Sequence, residues 1–210
     1  MATYESIIKI KGAVGDLVFY NLNGKNVVRK KSGFNKAAFK KNPSYEKVRQ
    51  NSSEFGHCSK VGKIIRNSLS AYIKKAGDPL LYQKFAKLMT EIKDLDTVSE
   101  RGKRTVENGL QTEAGKKLLR EFQFGEVENL VNVLEIQNQF LMLKKSDIAA
   151  TVFFSTIKLN WETYTTEYTE EKIILDQQYN PFKIQFVSKG LLHFAVLKDD
   201  NNEITHMGFL

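Results

Sequence analysis

The spacing of the apolar residues changes partway along this chain of 210 residues, and that change restricts the possible folds most. Between residues 43 and 95 the apolar side chains recur at three- and four-residue intervals, which is typical of amphipathic helices. From residue 139 onward they occur in short β-rich runs separated by turn residues. Helices followed by a group of strands predict an α+β fold.

Two helices are predicted in the middle of the chain. Asn42 and Pro43 are typical of an N-cap followed by the first helical position, and they begin a helix that runs to about Ala76. Gly77 ends it, and the Asp-Pro pair that follows begins a second helix over residues 81–95. Because the connection is short, we expect the two helices to pack antiparallel.

The helical region is predicted to end near residue 125. Residues 97–111 show no regular spacing and are predicted to be a loop, and residues 112–122 a short helix. We therefore divide the chain into a hairpin and helical region, residues 1–125, and a strand-rich domain, residues 126–210.

Strands are predicted throughout the C-terminal domain. They cover residues 139–143, 151–159, 172–175, 182–187, 191–197 and 203–209. Turn residues at 188–190 and 199–202 join the last three strands. Several short strands in so few residues predict a small antiparallel β-sandwich or barrel.

The N-terminal segment predicts a β-hairpin. Residues 17–20 and 26–29 are strand-like, and Asn23 and Gly24 between them favour the positive φ angles of a tight turn. An earlier strand is expected at Ile7, Ile8 and Ile10. Gly12 and Gly15 are followed by strand-forming residues rather than by a helix, so they indicate a bend and not a phosphate-binding loop.

Positive charge is concentrated towards the N-terminus. The net charge is +8, yet residues 1–60 hold twelve Lys and Arg against four acidic residues, and residues 111–210 hold ten against fourteen. Such asymmetry suggests two surfaces with different electrostatic partners. The candidate binding residues are the basic ones of the hairpin and first helix: Lys25, Arg29, Lys30, Lys31, Lys36, Lys40, Lys41 and Arg49.

Three interpretations of this basic segment remain open. It can bind an acidic protein surface, and this chain offers one in the glutamates of its own strand region, Glu162, Glu167, Glu170 and Glu171. It can bind nucleic acid, because the aromatic residues Tyr20, Phe34, Phe39 and Tyr45 lie among the lysines and arginines. It can also be a solvated surface.

No catalytic residue, metal ligand or cofactor is predicted. His57 and Cys58 are adjacent on a helix and point about 100° apart, and a base such as His193 would have to come from elsewhere. An enzyme would require Cys58, His57 and a carboxylate to meet in a cleft. The single cysteine excludes an internal disulfide, and no apolar run is long enough to span a membrane. Without a recognisable secretion signal, we expect a cytoplasmic location or an assembled particle.

Two short motifs resemble an uncharacterised protein family found mainly in Bacteroidetes. The first is G-K-x-x-x-R, at Gly24, Lys25 and Arg29, and the second is N-P-x-x-x-x-x-R-x-N-x-x-E-F-G, which begins at Asn42 and ends at Gly56. The resemblance implies no activity and transfers no catalytic residue. The Asn-Pro, Arg and Phe pattern at the start of a helix is also similar to phage-like structural proteins, which favours a particle or filament component.

The sequence therefore predicts a non-catalytic structural or protein-binding component that associates with itself or with another acidic protein. The alternative is a nucleic-acid-binding protein that uses the basic hairpin and first helix.

Overall fold

The computed structural model describes residues 2–6, 10–31, 36–144, 150–175, 178–183, 186–188, 190–199 and 201–210. The chain divides into two compact units, Met1–Glu46 and Lys47–Leu210. The boundary predicted after residue 125 lies inside the second unit. Several predicted features lie outside the described residues: Ile7 and Ile8 of the first strand, Phe34, Lys189 in one turn and Asp200 in another.

The first unit is built on a four-stranded antiparallel sheet. Its strands are β1 (Ala2–Thr3), β2 (Gly12–Val14), β3 (Leu17–Leu22) and β4 (Lys25–Lys30), in the order β1-β4-β3-β2, and helix α1 (Lys36–Lys41) follows. The predicted hairpin is confirmed as β3 and β4. Asn23 and Gly24 have φ angles of 51° and 82°, and the Asn21 side chain accepts a hydrogen bond from the Gly24 N–H.

The predicted first helix is broken into three pieces. Asn42 caps a single 3-10 turn, Pro43–Tyr45, from which α2 (Glu46–Ser68) continues, and α3 (Ser70–Ala76) ends at Gly77 with φ 67°. The break falls at Leu69, because the Ser68 hydroxyl donates to the Ile64 carbonyl and the Leu69 N–H bonds three residues back, to Arg66. A hydroxyl that bonds to the preceding turn bends a helix.

Three further helices complete the helical layer of the second unit. They are α4 (Leu81–Asp94), α5 (Val106–Gln111) and α6 (Glu113–Arg120). The predicted second helix and the short helix over 112–122 are present as α4 and α6. The loop predicted over residues 97–111 is wrong in its second half, where Thr105 caps α5 by accepting from the Asn108 N–H.

The sequence did not predict helix α5, because it contains Asn108 and Gly109, two residues of low helix propensity. The glycine is required by packing: a β-carbon at Gly109 would overlap the carbonyl oxygen of Ile92 in α4. None of the helices in the described ranges combines the length and the hydropathy needed to cross a membrane.

In the part of the C-terminal half that the structure describes, seven strands form two open antiparallel sheets. They are β5 (Leu134–Gln137), β6 (Phe140–Leu143), β7 (Ala150–Asn160), β8 (Thr165–Leu175), β9 (Tyr179–Pro181), β10 (Leu192–Lys198) and β11 (Ile204–Phe209). One sheet has the order β11-β10-β7-β8, the other β5-β6-β9, and neither is closed. The strand predicted over 182–187 is wrong for its described residues, since the strand, β9, comes just before them.

The two sheets and the helices form three layers around two cores. Alternate residues of β10 point to opposite sides, so Phe194 packs with α2 and α4 while Leu197 packs with β5 and β6. Helices α2 and α4 are antiparallel, because Glu54 contacts Lys93 while Arg66, further along α2, lies over the ring of Tyr82. The predicted α+β class is confirmed.

Candidate functional site

Seven of the eight candidate binding residues lie in the first unit. Lys25, Arg29 and Lys30 are on β4, Lys31 follows it, and Lys36, Lys40 and Lys41 are on α1. The lysines are all exposed, whereas Arg29 is half-buried. Arg49 is half-buried on α2 in the second unit. We call the six candidate lysines, Lys25, Lys30, Lys31, Lys36, Lys40 and Lys41, the basic surface.

The first unit buries very little of its apolar surface. Among its described residues Val27 alone is buried, while Val14, Leu17 and Leu22 are exposed. In the β3–β4 ladder Leu17 is paired with Lys30, and Leu22 with Lys25. Apolar and cationic side chains are therefore neighbours on this sheet, a combination that suits an interface with an acidic partner.

Strand β8 supplies an acidic edge in the second unit. Within the four-stranded sheet it pairs with β7 alone, over eleven residues from Thr165 to Leu175. Its outer positions include Tyr168, 55% exposed, and Ile174, 68% exposed. We call β8 and the turn that precedes it, residues 161–175, the acidic edge strand. It contains the four predicted glutamates, Glu162, Glu167, Glu170 and Glu171.

The four glutamates differ in how firmly they are held. Glu170 accepts hydrogen bonds from the Tyr72 hydroxyl at 2.7 Å and from Ser155 at 3.1 Å, and Glu171 accepts from the Lys183 N–H at 2.9 Å. Glu162 is exposed in the turn, and Glu167 is exposed beside Lys158 at 3.3 Å. Glu162 and Glu167 are the ones available to a partner, because exposed ion pairs contribute little.

A buried ionic cluster surrounds Glu54 on α2. Arg104 donates to both carboxylate oxygens, from Nε at 2.9 Å and from Nη2 at 2.8 Å, and Lys93 donates at 2.9 Å. The backbone N–H of Gly102 adds a fourth bond at 2.6 Å. The bond from Arg104 is the main cause that lowers the pKa of Glu54 to about 2, against the opposing effect of burial.

Asp96 organises the loop that carries Arg104. Burial alone would raise the pKa of Asp96, but hydrogen bonds from the N–H groups of Ser99 and Thr105 and from the Asn108 side chain hold it well below its ordinary value. Sequence reasoning missed both carboxylates, although Glu54 lies within the second motif of the family resemblance. Through its bonds to Glu54 and Asp96, the loop is fixed onto α2 and the end of α4.

His57 and Cys58 have separate surroundings. The Val106 N–H donates to Nε2 of His57 at 3.0 Å, so Nε2 carries no proton, and Nδ1 lies 3.0 Å from the Tyr164 hydroxyl. The Cys58 thiol is buried and donates to the Met89 carbonyl. Burial raises the pKa of Cys58, which is the reverse of what activates a nucleophile. The structure does not bring these two side chains together in a cleft.

The described residues contain no group of three or more His, Cys, Asp or Glu side chains that could hold a metal ion. Comparison of the chain with protein-family models, with curated proteins and with solved structures finds no match.

Proposed function

We propose that this protein is a non-catalytic assembly component that self-associates head to tail, with the basic surface of one copy against the acidic edge strand of the next. The observation that carries the proposal is the edge position of β8, whose exposed positions hold acids next to apolar residues. Charged side chains on an edge strand oppose its pairing with an identical edge, so the glutamates of β8 favour a cationic partner.

Charge and burial in the first unit support the same arrangement. Residues 1–46 hold nine Lys and Arg against three acidic residues, so this unit of one copy is expected to attract the acidic edge strand of another copy. A unit with Val27 as the one buried residue among those described gains stability when a neighbour covers its apolar side chains. Head-to-tail contacts of this type form rings when the rotation closes and filaments when it does not.

Sedimentation velocity over a range of micromolar concentrations tests the proposal. We expect oligomers at about 0.05 M NaCl and dissociation at about 0.5 M, where the screening length is roughly threefold shorter. A monomer at every concentration and salt level would rule the proposal out.

Charge reversal tests which surfaces are involved. Lys40→Glu/Lys41→Glu and Glu162→Lys/Glu167→Lys are each expected to abolish self-association, and a mixture of the two variants to restore it, because each reversed surface then meets a complementary one. Matched controls are Lys74→Glu/Lys75→Glu and Glu100→Lys/Glu126→Lys, which make the same charge changes at other exposed positions. Equal effects in variants and controls would contradict the assignment.

Nucleic-acid binding is the second candidate. It is supported by the exposed ring of Tyr45, which packs edge-on against Phe39 beside the lysines of α1. Electrophoretic shift assays with duplex DNA, single-stranded DNA and RNA at about 50 mM salt test it, since counterion release makes such binding strongest at low salt. A shift that is lost in Lys40→Glu/Lys41→Glu would support this candidate, and no shift would remove it.

A further inference from the structure

His193 on β10 lies in the wall of two neighbouring cavities of the second unit. One, of about 1170 Å³, is bordered by α5, α6, β5 and the start of β10. The other, of about 750 Å³, lies between β7, the β5–β6 turn and the described residues 182, 183 and 186–188. Three residues, Ile136, Leu191 and His193, line both. The smaller volume is within the range of small-molecule binding sites, roughly 300–1,000 Å³, and the larger one is above it.

Aromatic contacts fix the position of the His193 ring. It stacks on Phe154 with a centroid distance of 5.4 Å and an interplanar angle of 13°, and Phe182 lies 5.9 Å away. Nδ1 is 3.4 Å from the Thr156 hydroxyl. That contact engages Nδ1, so Nε2 is the ring nitrogen left for a ligand. A positioned ring with one nitrogen for recognition resembles the few convergent polar groups of binding pockets.

The smaller cavity has a distinct chemical character. Among its described lining residues the one formal charge is the ammonium group of Lys183, and none is a carboxylate. The other lining residues are largely apolar or aromatic: Ile136, Phe182, Phe186 and Leu191 form the wall, and Val187 at its rim is fully exposed. A cation beside aromatic walls suits a ligand that has a flat apolar body and one negative charge.

We propose that the 750 Å³ cavity binds a small aromatic monoanion, with its ring against Phe182 and Phe186 and its acid group bound by Lys183 and His193. This ligand differs from the partner proposed for the basic surface and the acidic edge strand, although the Lys183 N–H donates to Glu171 of that strand. Burial lowers the pKa of His193, so it acts at neutral pH through a hydrogen bond and Lys183 provides the charge.

The test uses 1-naphthoate as the probe and uncharged 1-naphthamide, which has the same rings, as its partner. We expect saturable naphthoate binding by calorimetry, with one site per chain, a shift of the His193 ring proton NMR signals, and amide binding weaker by about tenfold. No saturation by about 5 mM naphthoate, a concentration that detects even millimolar affinity, would overturn the proposal. Equal affinities for naphthoate and naphthamide would show that the site does not recognise the negative charge, and would overturn that part of the proposal.

Two variants locate the site. Lys183→Met removes the charge and His193→Phe keeps the stacking on Phe154 while removing the ring nitrogens; each is expected to weaken naphthoate binding by about tenfold. Lys172→Met, at another exposed lysine, is the control and is expected to bind normally. If His193→Phe fails to fold, Lys183→Met decides, because its side chain is exposed. Unchanged binding in Lys183→Met would overturn the assignment.

Discussion

Arg104 binds the buried carboxylate of Glu54 with two parallel hydrogen bonds, at 2.9 and 2.8 Å, although fifty residues separate them in the chain. The Glu54 side chain is 2% exposed, and Lys93, which is 6% exposed, shares it. The positions of Lys93 and Arg104 are favourable only while the Glu54 carboxylate is charged, because a buried ion pair that loses one partner leaves the other charge uncompensated.

Replacement of Glu54 is therefore expected to destabilise the second unit strongly. Glu54→Gln leaves Lys93 and Arg104 with Asp94 as their remaining acidic partner in the described cluster, and the free energy of unfolding should fall by about 3 kcal/mol. Urea unfolding followed by circular dichroism measures the change. Glu100→Gln is the control, because its pair with Lys103 is exposed and should contribute almost nothing. If Glu54→Gln lowers the free energy of unfolding as little as Glu100→Gln does, the buried ionic cluster does not stabilise the fold.

The same carboxylate makes stability depend on acid pH. The folded-state pKa of Glu54 is about 2, below its ordinary 4.5, so the folded state favours the charged form. This stabilisation is complete above pH 4.5 and is lost as the pH falls towards 2. Unfolding free energies measured across this window should decline more steeply for the native chain than for Glu54→Gln. Parallel curves would show that Glu54 does not carry the effect.

His57 is expected to add a second pH dependence, at milder acidity. Burial is the main cause that lowers the pKa of His57, so the folded state favours the neutral ring that accepts from the Val106 N–H. Its contribution is complete above the ordinary value of 6.5 and is lost as the pH falls through the lower folded-state value. Thermal melting between pH 7 and 5 should show this decline, and His57→Gln, which can accept but does not titrate, should flatten it. An unchanged slope would refute this role.

Gly109 is predicted to tolerate no side chain. In Gly109→Ala the added carbon would overlap the Ile92 carbonyl, so α5 must move from α4, at a cost of about 3 kcal/mol. Gly56→Ala is the matched control on α2, where a β-carbon meets nothing within 4 Å. Because alanine is the better helix former, this control should be stabilised by up to about 1 kcal/mol. Unfolding midpoints of both variants test the contrast, and similar midpoints would contradict it.

The parts of the fold that sequence predicted are those with local signals. The hairpin depends on Asn23 and Gly24, which lie next to the strands they join, and the end of α3 depends on Gly77 alone. Helix α5 has the opposite character. Its Gly109 lowers helix propensity locally and is explained by contact with Ile92, seventeen residues away. Propensity cannot reveal a requirement that another helix imposes.

The buried face of α2 shows the same limit of prediction from local sequence patterns. Apolar spacing predicts that the hydrophobic residues of this helix share one buried face, yet Phe55 is 61% exposed and the charged Glu54 beside it is buried with Cys58, Val61 and Ile65. Residues 54, 58, 61 and 65 have helical spacing, but a rule that seeks apolar residues passes over an acid. Its partners Lys93 and Arg104 become visible only when the chain is folded.

The candidate binding residues were identifiable because charge is a property of composition. Six of the eight are exposed on or next to β4 and α1, and Arg29 and Arg49 are half-buried; their binding role stays a prediction. The cavity beside His193 had no sequence signal, since Thr156, Phe182 and His193 come from separate segments of the chain.

The bond from the Gly102 N–H to Glu54 has a consequence for how the second unit opens. Gly102 is in a turn, where backbone amides normally exchange with solvent within seconds, yet its amide hydrogen is bound by a buried carboxylate of α2. Detachment of the turn would remove Gly102 and Arg104 from Glu54 and leave its buried carboxylate with Lys93 of α4 alone among these partners. We therefore expect the turn to open rarely on its own and the amide of this glycine to exchange slowly.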